Sequence, residues 1–383
     1  MSPPNKGHRR RRPHYRTGRC TGRRQRASTP SPISVPVETS LRLRVLFVTA
    51  PGLAHWHPLV PVAQALQAAG HEVAVACSPQ FAPVVEASGF QALTGDLDMF
   101  FAERDPLFLP WWPDGQPYTE RGQPPYWRLQ GVRLLTNFMA HTYAIARAWA
   151  ADVIVHDAWV AGFITIPADL LGIPVISCGG LWARSEEQWR EVRQILSVWR
   201  RICGLPDDPE GARIFPNGAL VTMPMSYVVP GTHVPQSAVF IRPGLFDSSE
   251  GKHLPAWLAN NPPRPLVAMT LGSVYAWPRG SVFQLVLEAL AHEPITLVLV
   301  VGKNFDPATL GPAAANVHIE GYVPVSQLFP RCDLVINHGG WSTVLTALGC
   351  GVPQLVLPVE MEEDHHGNAE RVVAMGAGRA IVY

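Results

Sequence analysis

The sequence predicts an α/β fold with two doubly wound parallel sheets, one in each half of the chain. In both halves, short apolar runs typical of buried strands alternate with helical patterns. A stretch dense in chain-breaking residues separates the two series, and 383 residues are enough for two domains. We therefore expect a first domain over residues 41–242, a linker over 243–264 and a second domain over 265–383.

The first series opens with a predicted strand over residues 43–49 and a predicted helix over 58–69. A proline at the start of that helix suits its first turn, and Gly70 suits its C-terminal end. Further strands are predicted over 71–76 and 152–156. Because ligands of a doubly wound sheet bind outside the carboxyl ends of its strands, we expect the chemistry in the loops that follow these strands.

The second series contains the most informative motif, a glycine-rich turn between a predicted strand over 333–337 and a helical pattern over 344–348. The turn reads His338-Gly339-Gly340-Trp341-Ser342-Thr343. Glycines allow close backbone approach, the hydroxyls can donate hydrogen bonds, and a new helix presents unpaired N–H groups and a positive dipole end. These properties predict a diphosphate site. The other strands predicted in this half cover 265–270, 295–301, 317–322 and 354–357.

This segment resembles the nucleotide-sugar signature of the UDP-glycosyltransferase family, the inverting GT-B enzymes that glycosylate natural products. The bacterial form, HGGxGT, is the closer one, so the chain is most similar to actinobacterial antibiotic and macrolide-type members. The resemblance covers residues 43–383. It implies two Rossmann-like domains that face each other across a cleft. It further implies transfer of a hexose or deoxyhexose from a dTDP- or UDP-sugar to a hydroxyl of a hydrophobic natural product.

The resemblance also places a general base in the first loop. Aligned on Pro58, the family's base falls on His55, whereas His57 occupies a position where the family varies. An imidazole, with an ordinary pKa of about 6.5, can take the proton of an attacking hydroxyl. Asp157 follows the strand over 152–156 and would orient this base. A loop or helix-capping role for His55 and a solvated strand-end role for Asp157 are the alternatives.

In the second half, the resemblance implies a set of donor-binding residues. Tyr322 would stack on the nucleobase, and Val323 would meet the base through its backbone. Ser273 would approach the phosphates, and His338 would donate to the diphosphate with Gly340, Ser342 and Thr343 beside it.

The sugar-binding segment departs from the family's pattern. Asp364 and Asn368 match it, but His365 stands where a Gln holds sugar hydroxyls, and Thr346 replaces the Glu that binds the ribose diol. These changes favour a deoxysugar carried on dTDP over UDP-glucose. Members also continue for one or two helices beyond the position of Tyr383, so we expect a second domain that is incomplete at its C-terminal end.

Composition narrows the classes of partner. Residues 1–40 hold ten Lys and Arg and one acidic residue, while the remainder holds 21 basic and 29 acidic residues. The polar leader lacks periodicity, so we expect disorder there. The acidic remainder argues against nucleic acid as the main partner. No apolar run reaches the roughly 18 residues that a membrane span needs.

The six cysteines are scattered without a CxxC pair. This argues against structural zinc or a disulfide framework and favours a reducing, cytoplasmic setting. We expect no cofactor and no metal, with the nucleotide sugar as co-substrate and a small molecule as acceptor. The chain could form a homodimer.

Residues 95–150 are rich in aromatic side chains, and nine of the twelve tryptophans lie between Trp56 and Trp199. Aromatic, proline-rich loops above a sheet can line a pocket for a flat apolar acceptor, although core packing is the alternative for any one ring. The Asp96-Leu97-Asp98 triplet is interpreted as solvated. Residues 184–203 predict an amphipathic helix whose apolar stripe, including Ile202, packs in the core.

Two other functions remain open at this point. One is a non-catalytic relative, altered at the donor site, that acts as a partner protein. The other is a GT-B nucleotide-sugar epimerase, which would need acidic residues around the sugar. The first-loop histidine and its aspartate partner favour transfer.

Overall fold

The structure is a computed structural model that describes most of the chain from residue 41 onward. The described residues are 41–97, 137–158, 162–180, 186–228, 232–247, 254–260, 262–272, 279–302, 305–358 and 363–381. The expectations for residues 1–40, for the aromatic segment 98–136 and for Ser273 lie outside these ranges.

The first sheet has seven parallel strands in the order β3-β2-β1-β4-β5-β6-β7. They are β1 Arg44–Val48, β2 Glu72–Cys77, β3 Gln91–Thr94, β4 Val153–Asp157, β5 Val175–Gly179, β6 Ala219–Val221 and β7 Ala238–Phe240. The accompanying helices are α1 Leu53–Trp56, α2 Val60–Ala68, α3 Ala82–Ala87, α4 Met139–Trp149, α5 Thr165–Leu171 and α6 Glu186–Ile202.

The second sheet has six parallel strands in the order β10-β9-β8-β11-β12-β13. They are β8 Leu266–Thr270, β9 Thr296–Val300, β10 Val317–Glu320, β11 Leu334–Asn337, β12 Gln354–Val356 and β13 Gly378–Ala380. Its helices are α7 Ala256–Ala259, α8 Arg279–Leu290, α9 Val325–Leu328, α10 Trp341–Cys350 and α11 Glu363–Ala374. The predicted α/β class with two parallel sheets is confirmed.

Core side chains cover both faces of the central strands. Because both faces are buried, the sequences of these strands are continuous apolar runs. In β1, successive residues point to opposite faces. Leu46 packs in one core cluster with Ile154 of β4. Phe47 packs in another with Trp56 of α1, and the rings of Phe47 and Trp56 meet edge to face at 6.1 Å.

Each sheet reverses its strand order at one place, and that place is where a doubly wound sheet opens a crevice at its carboxyl edge. In the first sheet the reversal lies between β1 and β4, and in the second it lies between β8 and β11. Chain order alone separates β1 from β4 by about a hundred residues, yet Val48 and His156 are register partners. Loops after these two strand pairs are therefore brought together.

An apolar cluster joins the two sheets near these edges. It contains Val221 and Tyr227 from the first half and Trp341, Val344 and Val356 from the second, among others. The ring of Trp341 lies against Gly180, directly after β5. A Cβ at Gly180 would come within 2.7 Å of that ring, so only a glycine allows this approach.

The helical layer is held by a buried charge cluster. Asp169 of α5 accepts a hydrogen bond from Arg200 of α6 at 2.6 Å and also pairs with Arg213. The side chains of Asp169 and Arg200 are only 9% and 5% exposed. A buried carboxylate between two guanidinium groups is compensated only while both partners are present.

Some local expectations were wrong. The loop before α2 contains the helical turn α1, because the backbone N–H of His57 bonds to the carbonyl of Leu53. Helix α6 has the predicted buried stripe around Leu196, but Ile202, predicted on that stripe, is 66% exposed. Ile202 is the last residue of α6, where the helix runs past the core. Within the described ranges, no helix is long and apolar enough to span a bilayer.

Replacing Asp169 with Asn should destabilise the fold by about 3–5 kcal/mol, because the buried Arg200 would lose the carboxylate that compensates its charge. The measurement is chemical denaturation at neutral pH. The matched control is Asp207→Asn, which removes the exposed partner of Arg201 and should leave the midpoint nearly unchanged. Equal effects of the two substitutions would contradict this view of the cluster.

Candidate active site

The first loop places a histidine against an aspartate at the strand-order reversal of the first sheet. His55 lies in α1, after β1, and Asp157 is the last residue of β4. The Nδ1 atom of His55 is 2.6 Å from Oδ2 of Asp157. The two side chains are 19% and 8% exposed, so the pair is shielded but reachable. The expected partnership of these two residues is present in the geometry.

Trp56 fixes the orientation of this loop, and it is a residue that sequence reasoning did not assign. Its side chain is fully buried, packs edge to face on Phe90 at 5.4 Å and donates from Nε1 to Ser88 Oγ at 3.1 Å. His55 and His57 flank this anchor. His57 is also buried, but its ring meets Phe246 edge to face at 5.2 Å. The two histidines therefore have different neighbours.

Asp157 has buried titratable neighbours on β4 and β5. His156 donates from Nδ1 to the backbone carbonyl of Asp157 at 2.8 Å, and burial lowers the pKa of His156. Cys178 is the register partner of Asp157 on β5. Burial, with a smaller contribution from the Asp157 charge, raises the pKa of the Cys178 thiol to about 12.

In the second sheet, the glycine turn is shaped by a buried polar network. Asn337, at the end of β11, accepts from the N–H of Gly339 at 2.8 Å, and Asn368 of α11 donates to the Gly339 carbonyl at 2.8 Å. Tyr227, from the first half, donates its hydroxyl to Asn368 Oδ1 at 3.0 Å. Sequence reasoning matched Asn368 to the family but gave no role to Asn337 or Tyr227.

Gly339 is required by both its conformation and its neighbours. Its φ of +92° lies in the left-handed region, and a Cβ there would be 2.7 Å from the carbonyl oxygen of His365. The rings of His338 and His365 meet edge to face with centroids 4.7 Å apart. The ring of His338 also lies against Gly272, which follows β8. The loops after β8 and β11 therefore meet around His338, at the second strand-order reversal.

The turn leads directly into α10, whose first residue is Trp341. Gly340 is the N-cap and provides no side-chain cap for the helix. The first N–H groups of an α-helix have no acceptor within the helix, and its dipole is positive at that end. Ser342 and Thr343 are half-buried in this first turn. The arrangement can bind an anion such as a phosphate.

The remaining predicted donor residues lie in different surroundings. Tyr322 is half-buried, and burial, followed by the charge of Asp247, raises its pKa to about 12. Val323 is buried in the core of the second sheet, so its side chain does not face a ligand. Asp247 accepts from the N–H of Ser326 at 2.8 Å. Asp364 lies in the first turn of α11.

The hydroxyl proton of Thr346 is already used in a hydrogen bond within α10. Its hydroxyl donates to the carbonyl of Ser342, one turn earlier, at 2.7 Å. A hydroxyl with a committed proton can still accept a hydrogen bond. Thr346 therefore presents a neutral acceptor where a carboxylate would present a charge.

A cleft runs between the two sheets and is open to solvent. Its lining comes from both halves: His57, Pro58, Thr222, Pro243, Gly244, Leu245 and Phe246 from the first, and Trp341, Ser342, Leu345 and Thr346 from the second. All of these residues follow carboxyl ends of strands. Among the described residues, no group of three or more His, Cys, Asp or Glu side chains could hold a metal ion.

Of the other predicted features, Asp96 is exposed and accepts from Asn137 Nδ2 at 2.8 Å, as a solvated residue would. Phe138, one of the aromatic residues considered for an acceptor pocket, is buried in the core of the first sheet. Core packing is therefore the role of that ring.

This arrangement of two doubly wound sheets across a cleft is the GT-B architecture of glycosyltransferases. The crystal structure of the glycosyltransferase SnogD from Streptomyces nogalater matches it with a TM-score of 0.69 and 28% sequence identity, over 89% of this chain and 87% of that one.

Comparison with known sequences identifies the family. Residues 285–382 match the family described as Erythromycin biosynthesis protein CIII-like, C-terminal domain. L-demethylnoviosyl transferase from Streptomyces niveus is 30% identical over 88% of this chain and 85% of its own length. Elloramycin glycosyltransferase ElmGT from Streptomyces olivaceus is 31% identical over the same shares. The chain belongs to the family of actinobacterial antibiotic glycosyltransferases, and this membership makes it a glycosyltransferase by class.

The buried His156 gives a pH dependence of stability. Because its pKa in the fold lies below the ordinary 6.5, the unfolded chain binds a proton that the folded chain excludes. The free energy of unfolding contributed by this site is therefore fully present above pH 6.5 and is lost as the pH falls below it, by at most about 1.4 kcal/mol per pH unit.

The measurement is the free energy of unfolding between pH 7.5 and 5 for the wild type and for His156→Gln. Other histidines contribute to both proteins, so the difference between the two slopes isolates His156. The wild type should lose stability more steeply on acidification than the variant does. Parallel slopes would rule out the buried neutral imidazole.

Proposed function

We propose that the protein is an inverting glycosyltransferase that moves a deoxyhexose from a dTDP-sugar to a hydroxyl of a hydrophobic natural product. The observation that carries this proposal is the 2.6 Å contact between His55 Nδ1 and Asp157 Oδ2 at the carboxyl edge of the first sheet. It supports a base on one side of the cleft, while the glycine turn on the other side supports an anion site.

The base acts through Nε2, the imidazole nitrogen on the side of the ring away from Asp157. When His55 Nδ1–H donates to Asp157, the neutral ring keeps its lone pair on Nε2, which can accept the proton of the acceptor hydroxyl. The resulting imidazolium lies beside a carboxylate that stabilises it. The hydroxyl oxygen attacks the anomeric carbon as its proton moves to His55, so that no alkoxide has to exist beforehand.

The leaving group is the nucleoside diphosphate, and its charge increases as the bond to the anomeric carbon breaks. Fixed groups stabilise that charge. The first-turn N–H groups of α10 and the imidazole of His338 donate hydrogen bonds to it, and the positive end of the helix dipole attracts it. The loop shape is set in advance by Asn337 and Asn368, so little reorganisation accompanies the reaction. We assign the diphosphate to the turn that includes Gly340, Ser342 and Thr343, and a metal is not required by this scheme.

Assignments on the sugar and nucleobase follow the family's pattern. Tyr322 and the Val323 backbone would bind the base, Ser273 would approach the phosphates, and Asp364 with His365 would hold the sugar. Thr346 favours dTDP over UDP. A neutral acceptor binds the second hydroxyl of a ribose more weakly than a carboxylate does, so a ribonucleotide gains little affinity from it. The names of the two relatives, a demethylnoviosyl transferase and an elloramycin glycosyltransferase, support sugar transfer in antibiotic biosynthesis.

Replacing His55 with Ala, or Asp157 with Asn, should lower kcat by about 10²- to 10⁴-fold, the usual contribution of general base catalysis. The affinity for dTDP should stay within about twofold, because the nucleotide binds across the cleft. The measurements are steady-state transfer with a dTDP-deoxyhexose donor and calorimetric titration with dTDP.

The matched control for these variants is Asp152→Asn. Asp152 precedes the same strand, at its amino end, where its carboxylate accepts from the N–H of Arg44 at 2.7 Å. This variant should retain kcat. Turnover that survives in His55→Ala, or a loss in Asp152→Asn as large as in Asp157→Asn, would overturn the base assignment.

The preference for dTDP is tested by thermal unfolding with nucleotides. A nucleotide at a hundred times its dissociation constant adds about 2.7 kcal/mol of stability. dTDP should raise the unfolding temperature by several degrees, UDP by less, and dTMP least because it lacks the second phosphate. A larger shift with UDP would contradict the role given to Thr346.

A further inference from the structure

The base and the leaving-group site belong to different halves of the chain, so the distance between them depends on contacts that join the halves. In the proposed reaction, His55 and Asp157 act from the first sheet, and the diphosphate binds where α10 begins in the second. An in-line attack needs reacting atoms about 3–3.5 Å apart, and a displacement of about 1 Å can cost about 10²-fold in rate. The strand order of each sheet fixes positions within one half only. A contact between the halves has to fix the rest.

Trp341 makes such a contact. It is the first residue of α10, directly after the N-cap Gly340, so its backbone belongs to the anion site. Its side chain is buried and reaches the first half, where the six-membered ring of the indole lies against Gly180. A Cβ at Gly180 would be 2.7 Å from Cζ2 and 2.9 Å from Cη2 of that ring. Ordinary carbon contacts are about 3.5–4.0 Å, so the indole occupies the space that a side chain at Gly180 would need.

Gly180 is joined to the carboxylate that orients the base. It directly follows Gly179, the last residue of β5, and β5 pairs with the strand that ends at Asp157. A Cβ at Gly179 would be 3.7 Å from Oδ1 of Asp157, so the backbone of Gly179 lies beside this carboxylate. The carbonyl of Gly179 accepts from the N–H of Thr222 at 2.9 Å, which holds the end of β5 in place. The indole therefore packs on a fixed strand end next to Asp157.

A second group of the first half also contacts the indole. The ring of Tyr227 meets the ring of Trp341 edge to face, with centroids 5.7 Å apart. The hydroxyl of Tyr227 is bonded to Asn368, and both rings belong to one apolar cluster. Close-packed interiors transmit a change in the volume of one side chain to its neighbours. The start of α10 is therefore held to the first half through the side chain of its first residue.

We propose that the contact between Trp341 and Gly180 sets the distance between the base and the leaving-group site, and that Trp341 is a positioning residue for sugar transfer. The indole joins the first turn of α10 to the end of β5. The neighbouring strand β4 ends at Asp157, which contacts His55. This inference rests on the proposed function, and it concerns the side chain of Trp341 rather than any bond to the substrate.

Gly180→Ala tests this distance from the first half and changes no residue of the donor site. The backbone of Gly180 is outside the left-handed region, and the three atoms nearest to the added methyl all belong to the indole. The ring has to move by about 1 Å, so we expect kcat to fall about 10- to 100-fold. The dissociation constant of dTDP should stay within about twofold, because Asn337 and Asn368 set the shape of the turn from inside the second half.

The same contact allows a rescue by a compensating change of size. A phenylalanine ring is shorter than an indole and leaves room for the methyl, so Gly180→Ala combined with Trp341→Phe should have a higher kcat than either single variant. The kcat is measured with dTDP-rhamnose as donor and a hydroxyanthraquinone as acceptor. Calorimetry gives the dissociation constant of dTDP, and thermal unfolding shows that each variant is folded.

Gly367→Ala is the matched control. It adds the same methyl in α11, where a Cβ would meet no atom within 4 Å, and it should leave kcat and the dissociation constant of dTDP unchanged. If Gly180→Ala does not fold, Trp341→Phe alone carries the test, because it shortens the contact from the other side. It should lower kcat and keep the affinity for dTDP.

The outcomes separate this inference from the proposed function. If the wild type binds dTDP and transfers sugar while Gly180→Ala keeps its kcat, Trp341 does not set the distance, and the glycosyltransferase assignment is untouched. A loss of dTDP affinity as large as the loss of kcat, or a double variant no better than the single ones, overturns the positioning role as well. If the wild type does not bind dTDP, the proposed donor is wrong and the inference fails with it.

Discussion

The pairing of His55 with Asp157 depends on β1 and β4 being adjacent, although they are far apart in the chain. Their register, with Val48 opposite His156, brings the loop after β1 to the last residue of β4. In a doubly wound sheet, the strand-order reversal is the place where the loops after two such strands meet at the carboxyl edge. If β4 lay elsewhere in the sheet, the imidazole would have no carboxylate to orient it.

The second sheet uses the same constraint for a different purpose. The reversal between β8 and β11 brings Gly272 against His338, and the turn that follows opens into α10. Two buried asparagines fix the turn, and a tyrosine from the first half is bonded to one of them. Polar groups buried in this way are stabilising only when they are satisfied, so the shape of the anion site depends on contacts that reach across the cleft.

Much of the fold follows from the sequence for a simple reason. Buried parallel strands are continuous apolar runs, and each of the strands predicted in the second half is present within one or two residues. Helix ends were less well predicted. The turn α1 depends on a backbone bond inside a loop, and Ile202 extends beyond the core although it shares the periodicity of its buried neighbours.

Site residues could be predicted where a single side chain carries out the chemistry. They could not be predicted where a residue acts by packing against its neighbours. His55 and Asp157 could be found because a base and its partner have restricted residue types at strand ends. Trp56, Tyr227 and Asn337 could not, since a buried ring or amide is common and its role appears only with its neighbours.

The most direct test of a single in-line displacement, with the acceptor deprotonated by His55, is the anomeric configuration of the product. A donor of known configuration is supplied with a hydrophobic acceptor, and the coupling constant of the anomeric proton in the glycoside is measured by NMR. We predict inversion at the anomeric carbon. Retention would require a second displacement, and it would contradict the mechanism.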